Sequence, residues 1–152
     1  NIAEVFRGII VYEGADTVLV DDCFIDGVYT INVNSNDSNT KLVVSNTTLN
    51  GWTSYGRIGS ASFDKCSFGK ETLYGQYAYL RPYADTAITN CDFSSDFLFG
   101  CGVASGITVK FTNCTVNGEA LTVEQLQKMF DSDDMSEIKG NTWILDGTTV
   151  VF

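Results

Sequence analysis

The segment "FTNCTVNG", residues 111–118, repeats with variations through the part of the chain that precedes it. Related segments are "VDDCFIDG" (20–27), "VSNTTLNG" (44–51), "FDKCSFGK" (63–70) and "ITNCDFSS" (88–95). Their fourth residues form a column of four cysteines and one threonine, namely Cys23, Thr47, Cys66, Cys91 and Cys114. The intervals along this column are 24, 19, 25 and 23 residues, a period that is typical of stacked-repeat proteins.

The residues around the column predict how one repeat folds. The positions three before and two after it are apolar in every repeat, and the position just before it holds Asp22, Asn46, Lys65, Asn90 and Asn113. Apolar residues at alternate positions point to one side of a strand. Asn and Asp tolerate left-handed backbone angles, so they suit a sharp bend. The pattern therefore predicts a strand, a bend and a second strand, with the cysteine column facing inward.

A further strand-like stretch precedes each phrase, as in "VYTINV" (28–33) and "YAYLRPY" (77–83). One repeat is thus predicted to contain three short strands and three bends, which is one coil of a solenoid. Because a single coil cannot bury its apolar side, neighbouring coils must stack and share a core.

The phrases "ITNCDF" and "FTNCTVNG" resemble those of right-handed parallel β-helix repeat proteins, the architecture of pectate lyases, phage tailspikes and many bacterial surface proteins. The resemblance covers about residues 5–118. It implies an all-β fold, a right-handed parallel β-helix of about five coils. It implies little about function, because this fold hosts lyases, hydrolases, adhesins and inert stalks.

The repeats stop at Gly118, and residues 119–152 are predicted to form a cap on the coils of residues 1–118, within one structural domain. "LTVEQLQKMF" (121–130) predicts a short helix with Thr122 as N-cap and Gln125 completing a capping box. Asp146-Gly147 predicts a hairpin. No equivalent cap precedes residue 5, so we expect upstream coils, another domain or another subunit to cover that end.

Composition excludes several classes of function. The net charge of −10 makes nucleic acid a poor partner, because an acidic surface repels phosphates. The chain has no histidine, which removes the usual general base and metal ligand. We expect no metal site, no cofactor and no membrane span, since no apolar run is long enough to cross a bilayer.

Two interpretations of the cysteines stay open. The favoured one is that the column residues are reduced and pack as small apolar side chains, because Thr47 occupies the same column. The alternative is a disulfide between Cys91 and Cys114 on neighbouring coils. Cys101 lies off the column, and its redox state is not predicted.

An aromatic and arginine cluster in the middle coils is the candidate binding site. Its predicted ligand-binding residues are Tyr55, Arg57, Tyr77, Tyr79, Arg81 and Tyr83. Arg57 and Arg81 precede their column cysteines by nine and ten residues, which predicts that they lie nearly one above the other. Aromatic rings stack on sugars, and Arg donates to hydroxyls or carboxylates. The alternative is that some of these tyrosines fill the core while the others form a solvated ladder.

Other polar groups have simpler interpretations. The acidic loop of Asp131, Asp133, Asp134 and Glu137 is interpreted as a solvated helix end rather than a Ca²⁺ site. The glycosylation patterns at Asn46 and Asn113 coincide with predicted bends and are interpreted as by-products of the repeat, whereas the pattern at Asn36 lies in a loop. Asp21, Asp22 and Asp64 occupy bends of non-adjacent repeats and form no tight carboxylate cluster, so we predict no catalytic residues.

The leading hypothesis is a non-catalytic, rigid β-helix module of a secreted, cell-surface or virion protein, such as an adhesin or phage tail component. It would present a face that binds a carbohydrate or a surface protein, and it could assemble as a homo-oligomer such as a trimer. The alternative hypothesis is a polysaccharide lyase or glycoside hydrolase, or a fragment of one.

Overall fold

The computed structural model describes residues 2–69, 78–100, 105–130 and 136–152, with the backbone alone at residues 4, 5, 136 and 137. Strands dominate this part of the chain. In chain order the elements are β1 (Ile2–Tyr12), β2 (Thr17–Asp21), β3 (Phe24–Asn34), β4 (Lys41–Ser45), β5 (Thr48–Tyr55), β6 (Ser60–Asp64), β7 (Ser67–Phe68), β8 (Tyr79–Arg81), β9 (Thr86–Thr89), β10 (Asp92–Phe93), β11 (Leu98–Phe99), β12 (Thr108–Thr112), β13 (Thr115–Val116), β14 (Glu119–Ala120), α1 (Val123–Lys128), α2 (Ser136–Lys139), β15 (Thr142–Leu145) and β16 (Thr148–Val150).

These strands form two long sheets whose coil-to-coil pairings are parallel. Sheet A follows the order β1-β3-β5-β7-β10-β13-β14, with β8 between β5 and β11, and sheet B follows the order β16-β15-β12-β9-β6-β4-β2. The parallel neighbours in each sheet come from successive coils, as in a parallel β-solenoid. The chain makes about four turns, close to the five predicted, and the predicted all-β solenoid is confirmed.

Sheet A is bent into two facets. The first half of β5 pairs with β7 through Thr48 and Leu49, whereas its second half pairs with β8 through residues 52–54. Gly51 lies at the bend with φ of 137°, and a Cβ there would approach the carbonyl oxygen of Gly27 to 1.9 Å. We call the strand segments after this bend, including residues 29–34, 52–55, 79–81 and 98–99, the second facet.

A left-handed residue makes the turn from sheet B into sheet A in every described coil. These residues have φ between 48° and 53° and are the five predicted bend residues, Asp22, Asn46, Lys65, Asn90 and Asn113. Asn90 Nδ2 donates to Asp64 Oδ1 at 2.9 Å, and Asn113 Nδ2 donates to Asn90 Oδ1 at 2.8 Å. The corner is therefore a hydrogen-bonded ladder that runs along the solenoid.

The repeat columns form the core. The apolar residues three before and two after the cysteine column are all buried, from Val20 and Ile25 in the first coils to Phe111 and Val116 in the last. Thr47, Cys66, Cys91 and Cys114 are buried too, and Cys23 is half-buried. These four cysteines are free thiols, as the favoured interpretation predicted, and no disulfide joins Cys91 to Cys114. Cys101 lies outside the described residues.

The predicted C-terminal helix and hairpin are present. Thr122 caps α1 and forms the capping box with Gln125. β15 pairs parallel to β12, and β16 then turns back antiparallel through Asp146 and Gly147, both at positive φ. Aromatic rings of the cap close the core, since Phe130 stacks on Phe99 with ring centroids 5.1 Å apart. The last coil thus ends in antiparallel strands and a helix.

Lys65 is the one corner residue of the described coils that is neither Asn nor Asp. We expect Lys65→Asn to raise the free energy of unfolding by about 1 kcal/mol, because Asn accepts the left-handed conformation at lower cost. Urea unfolding followed by circular dichroism measures the change. Lys41→Asn is the matched control, because Lys41 is an exposed Lys on an extended strand. Equal effects of the two substitutions would contradict the corner argument.

The buried thiols are expected to resist modification in the folded state. Burial raises the pKa of the Cys114 thiol, and contact with the Cys66 thiol together with burial raises the pKa of Cys91. Their thiolate fraction at pH 8 is therefore below that of a free cysteine, which has a pKa of about 8.5. The hydrogen bond with Cys91 lowers the pKa of Cys66, so the protection of this thiol comes from its burial, with 2% of the residue exposed. In a Cys101→Ser background, Ellman's reagent should label Cys23 first and the other three only in urea. Rapid labelling of all four in buffer would contradict the packing described here.

Candidate functional site

A row of aromatic rings runs along the outer surface of the second facet. Tyr29 pairs with Trp52 across β3 and β5, and Trp52 pairs with Tyr79 across β5 and β8. The Tyr29 and Trp52 ring centroids lie 5.7 Å apart, and those of Trp52 and Tyr79 lie 5.6 Å apart. All three side chains are half-buried. Because neighbouring rings are in contact, the row forms a continuous apolar strip, which we call the aromatic strip.

An arginine and a phenylalanine extend this strip into the first coil. Arg7 pairs with Tyr29 in the parallel register of β1 and β3, and its guanidinium carbon lies 5.2 Å from the centroid of the Tyr29 ring. The neighbouring Phe6 ring packs edge-on against Tyr29 at 5.6 Å and stays 59% exposed. A cation on an aromatic face is a favourable arrangement, and here it places one guanidinium on the strip.

A polar cleft lies beside the aromatic strip. Three polar residues cross the cleft on neighbouring strands. Asn32 pairs with Ser54, and Ser54 pairs with Arg81, so the three lie in register across three coils. Asn32 Nδ2 also donates to Ser54 Oγ. The cleft has a volume of about 320 Å³ and is lined by Asn32, Asn34, Ser35, Asn36, Ser54, Tyr55, Gly56, Arg81 and Tyr83. Amide, hydroxyl and guanidinium groups therefore converge on one groove.

Tyr83 holds the guanidinium of Arg81 at the edge of this cleft. Arg81 Nη2 donates to the Tyr83 hydroxyl at 2.6 Å, and the guanidinium carbon lies 4.6 Å from the centroid of the Tyr83 ring. Both side chains are half-buried. One tyrosine thus contacts the guanidinium through its ring and through its hydroxyl, which restricts an otherwise flexible side chain.

The structure separates the six predicted site residues into groups. Tyr79, Arg81 and Tyr83 lie together on or just after β8, beside the aromatic strip and the cleft. Tyr55 is only 3% exposed, and its hydroxyl bonds Thr86 Oγ1 at 2.6 Å, so its ring belongs to the core behind the cleft. This matches the alternative in which alternate tyrosines fill the core. Tyr77 lies outside the described residues.

Arg57 does not stack on Arg81. Arg81 pairs with Ser54, three residues before Arg57, so the two arginines occupy different rows. The segment between the strand and the corner is two residues longer around Arg57, since Ser54 lies eleven residues before Lys65 and Arg81 nine residues before Asn90, so strand register rather than the count to the cysteine decides the alignment. Arg57 is exposed, and its backbone N–H donates to Asn36 Oδ1 at 3.1 Å. It therefore lies next to the cleft, beyond Gly56.

Tyr29, Asn32 and Asn34 belong to the site but were not predicted. They lie in "VYTINVNSN" (28–36), which sequence reasoning treated only as a strand. Its alternating asparagines were the available signal, since side chains at alternate positions share one face of a strand. Which neighbouring residues they meet depends on the register with β5, which the sequence does not display.

Other polar side chains considered in the sequence make hydrogen bonds within the fold. Asp21 Oδ1 accepts hydrogen bonds from Ser45 and Asn46, which lower its pKa and keep it an ionised acceptor. Asn46 and Asn113 lie at left-handed corners with their amides bonded, as expected of by-products of the repeat. Asp131, Asp133 and Asp134 fall outside the described residues, and the Glu137 side chain is not described. Within the described part of the chain, no group of acidic or cysteine side chains is arranged to hold a metal ion.

Comparisons with known proteins identify no relative. No protein-family model, curated protein or solved structure matches the chain. Among the described helices, none has the length and hydrophobicity needed to cross a bilayer.

We expect the buried Tyr55 to contribute to stability and to its decline at alkaline pH. Burial raises the pKa of Tyr55 above its ordinary value near 10, so at higher pH the unfolded chain loses this proton while the folded chain keeps it. Stability is therefore highest below pH 10 and falls as pH rises beyond it. Tyr55→Phe should cost about 1 kcal/mol at pH 7 and reduce the alkaline loss.

Urea unfolding at pH 7 and pH 11 tests this expectation. Tyr12→Phe is the control, because Tyr12 is exposed and should change neither value. An alkaline loss of the same size in the wild-type and Tyr55→Phe proteins would show that Tyr55 titrates like a solvated tyrosine.

Proposed function

We propose that the protein is a non-catalytic, rigid β-solenoid module that binds a carbohydrate along the second facet of sheet A. The observation that carries the proposal is the cleft of Asn32, Ser54, Arg81 and Tyr83 beside the strip of Tyr29, Trp52 and Tyr79. Polar groups set next to aromatic rings suit a ligand that has hydroxyls on its rim and C–H groups on its faces.

The strands around the cleft hold its side chains in place, which favours binding. The cleft residues sit on or just beyond strands that are paired on both sides, and the same coils bury the core behind them. A site on paired strands keeps its donors in place before the ligand arrives, which lowers the entropic cost of binding. The in-register row across three coils also favours an extended ligand over a compact one.

The chemistry of the cleft favours a binding role over hydrolysis. Glycosidic hydrolysis uses a pair of carboxylates that flank the scissile bond. The described residues that line the cleft supply amides, hydroxyls and a guanidinium, and none of these lining side chains is a carboxylate. Binding and orientation are the functions that this set of groups can perform.

We also propose that the module acts on the outside of a cell or a virion, as a surface or tail component. The support is the resemblance of its repeats to those of surface proteins and tailspikes. Antibody labelling of intact cells or particles tests this setting. Labelling that requires permeabilisation would contradict it.

The binding proposal is tested with an array of polysaccharides and oligosaccharides. Arg81→Ala and Tyr83→Ala should each weaken binding by about tenfold or more, since each removes a contact worth about 1.4 kcal/mol. Lys110→Ala is the control, because Lys110 is an exposed cation on sheet B. Folding of each variant is checked by its urea midpoint.

Three results would overturn the proposal. One is unchanged glycan binding in both cleft variants while they remain folded. Another is release of reducing or unsaturated ends from a bound polysaccharide, with or without Ca²⁺, which would make the protein an enzyme. Absence of binding to every glycan tested would also remove the proposed ligand class.

A further inference from the structure

Both sheets end at the first coil with a strand whose outer edge has no partner strand among the described residues. β1 is the last strand of sheet A at this end, and β2 is the last strand of sheet B. An unpaired strand edge presents a row of amide and carbonyl groups that can pair with a further strand. Two such edges are therefore open at the same end of the solenoid.

The apolar layer between these two edges is only partly covered. Ile9 pairs with Ile31, and Val11 pairs with Val33. Ile31 and Val33 are completely buried, whereas Ile9 and Val11 are half-buried. The described structure places coils on both sides of the second pair and on one side of the first. A further layer stacked on the first coil would bury Ile9 and Val11 in the same way.

Exposed apolar side chains are concentrated at this end. The described part of the chain has seven large apolar side chains that are exposed, and five of them lie between residues 6 and 24. These five are Phe6, Ile10, Tyr12, Leu19 and Phe24. Concentrated exposed apolar surface marks sites of interaction in soluble proteins, so this end has the composition of an interface.

A partner for this end has to supply one strand to each sheet and an apolar layer between them. A single extended peptide pairs with only one of the two edges. The opposite end of the solenoid does not supply them either, because it finishes in the short antiparallel strands β14 and β16. The first coil of a second copy supplies both strands and the apolar layer when that copy is rotated by half a turn, so that the two open ends face each other.

The sequence of β2 matches itself under this rotation. When "TVLVD" (17–21) pairs antiparallel with its copy about Leu19, each Leu19 lies opposite the other and Asp21 lies opposite Thr17. Val18 lies opposite Val20 on the inner side, in agreement with the alternating burial of this strand. The pairing sets no carboxylate opposite another, and a like-charge contact of that kind would oppose association.

We propose that two copies of the protein associate head to head, through the open edges of β1 and β2, with the two-fold axis at Leu19. The C-terminal caps then lie at the two far ends of the dimer. Because a two-fold contact uses the same surface on both copies, assembly stops at two chains. The inference concerns another surface than the proposed carbohydrate site and does not depend on it.

Sedimentation velocity at protein concentrations from micromolar to millimolar measures the association. We expect an equilibrium between monomer and dimer, with no larger species. Each copy has a net charge of −10, so the two copies repel each other. High salt should therefore tighten the dimer, because it screens this repulsion.

A matched pair of substitutions locates the interface. Leu19→Lys sets two ammonium groups side by side at the axis and should weaken the dimer about tenfold or more. Val151→Lys is the control, because Val151 is 80% exposed at the opposite end of the chain and the substitution adds the same charge. This variant should not weaken the dimer.

Substitutions of Thr17 separate association from folding. Within one copy Thr17 pairs with Lys41, whereas in the proposed dimer it lies opposite Asp21 of the second copy. Thr17→Asp should therefore stabilise each copy beside Lys41 and weaken the dimer several-fold, and Thr17→Lys should do the reverse. Urea midpoints and sedimentation measure the two effects. A change in folding alone would move both quantities in the same direction.

Three results would overturn the inference. A protein that stays monomeric at every concentration and salt would leave this end to a different polypeptide. Species larger than a dimer would show that the contact is not a closed two-fold one. Equal weakening of the dimer by Leu19→Lys and Val151→Lys would show that the interface lies elsewhere.

Discussion

The structure depends on one constraint, which is that equivalent residues of successive coils must lie in register one above the other. Parallel pairing between coils about 4.8 Å apart imposes this alignment on every strand. The left-handed corner maintains it, because each coil enters sheet A from the same kind of residue at nearly the same φ. Changes of coil length are absorbed between the aligned segments, for example at the register shifts of β3 against β5 between Asp26 and Ile31, and the columns of the core stay aligned.

The same alignment produces the candidate site. Tyr29, Trp52 and Tyr79 are distant in sequence but occupy one row, because their strands pair in register. The polar row of Asn32, Ser54 and Arg81 arises in the same way. In a solenoid, the residues at equivalent positions of successive coils therefore form a straight row on the surface. Two arginines of that surface, Arg7 and Arg81, each contact an aromatic ring on it.

Most of the fold was predictable because it depends on local repeats. The cysteine column, its apolar neighbours and the bend residues recur in sequence, and a recurring pattern predicts recurring structure. The helix cap at Thr122 and the hairpin at Asp146-Gly147 depend on short-range chemistry and were predicted for that reason. The candidate site was predicted only in part: Tyr79, Arg81 and Tyr83 lie together, whereas Tyr55 is buried and Arg57 lies in another row.

Repetition alone specified that the chain stacks in coils and which residues of each coil face inward, since both depend on residues close together along the chain. Tertiary structure decided which outward residues meet. The coil around Arg57 and the coil around Arg81 differ in length, so counting from the cysteine column misaligned them by several residues. Strand pairing sets that alignment, and it depends on hydrogen bonds between residues more than twenty positions apart, which no local pattern records.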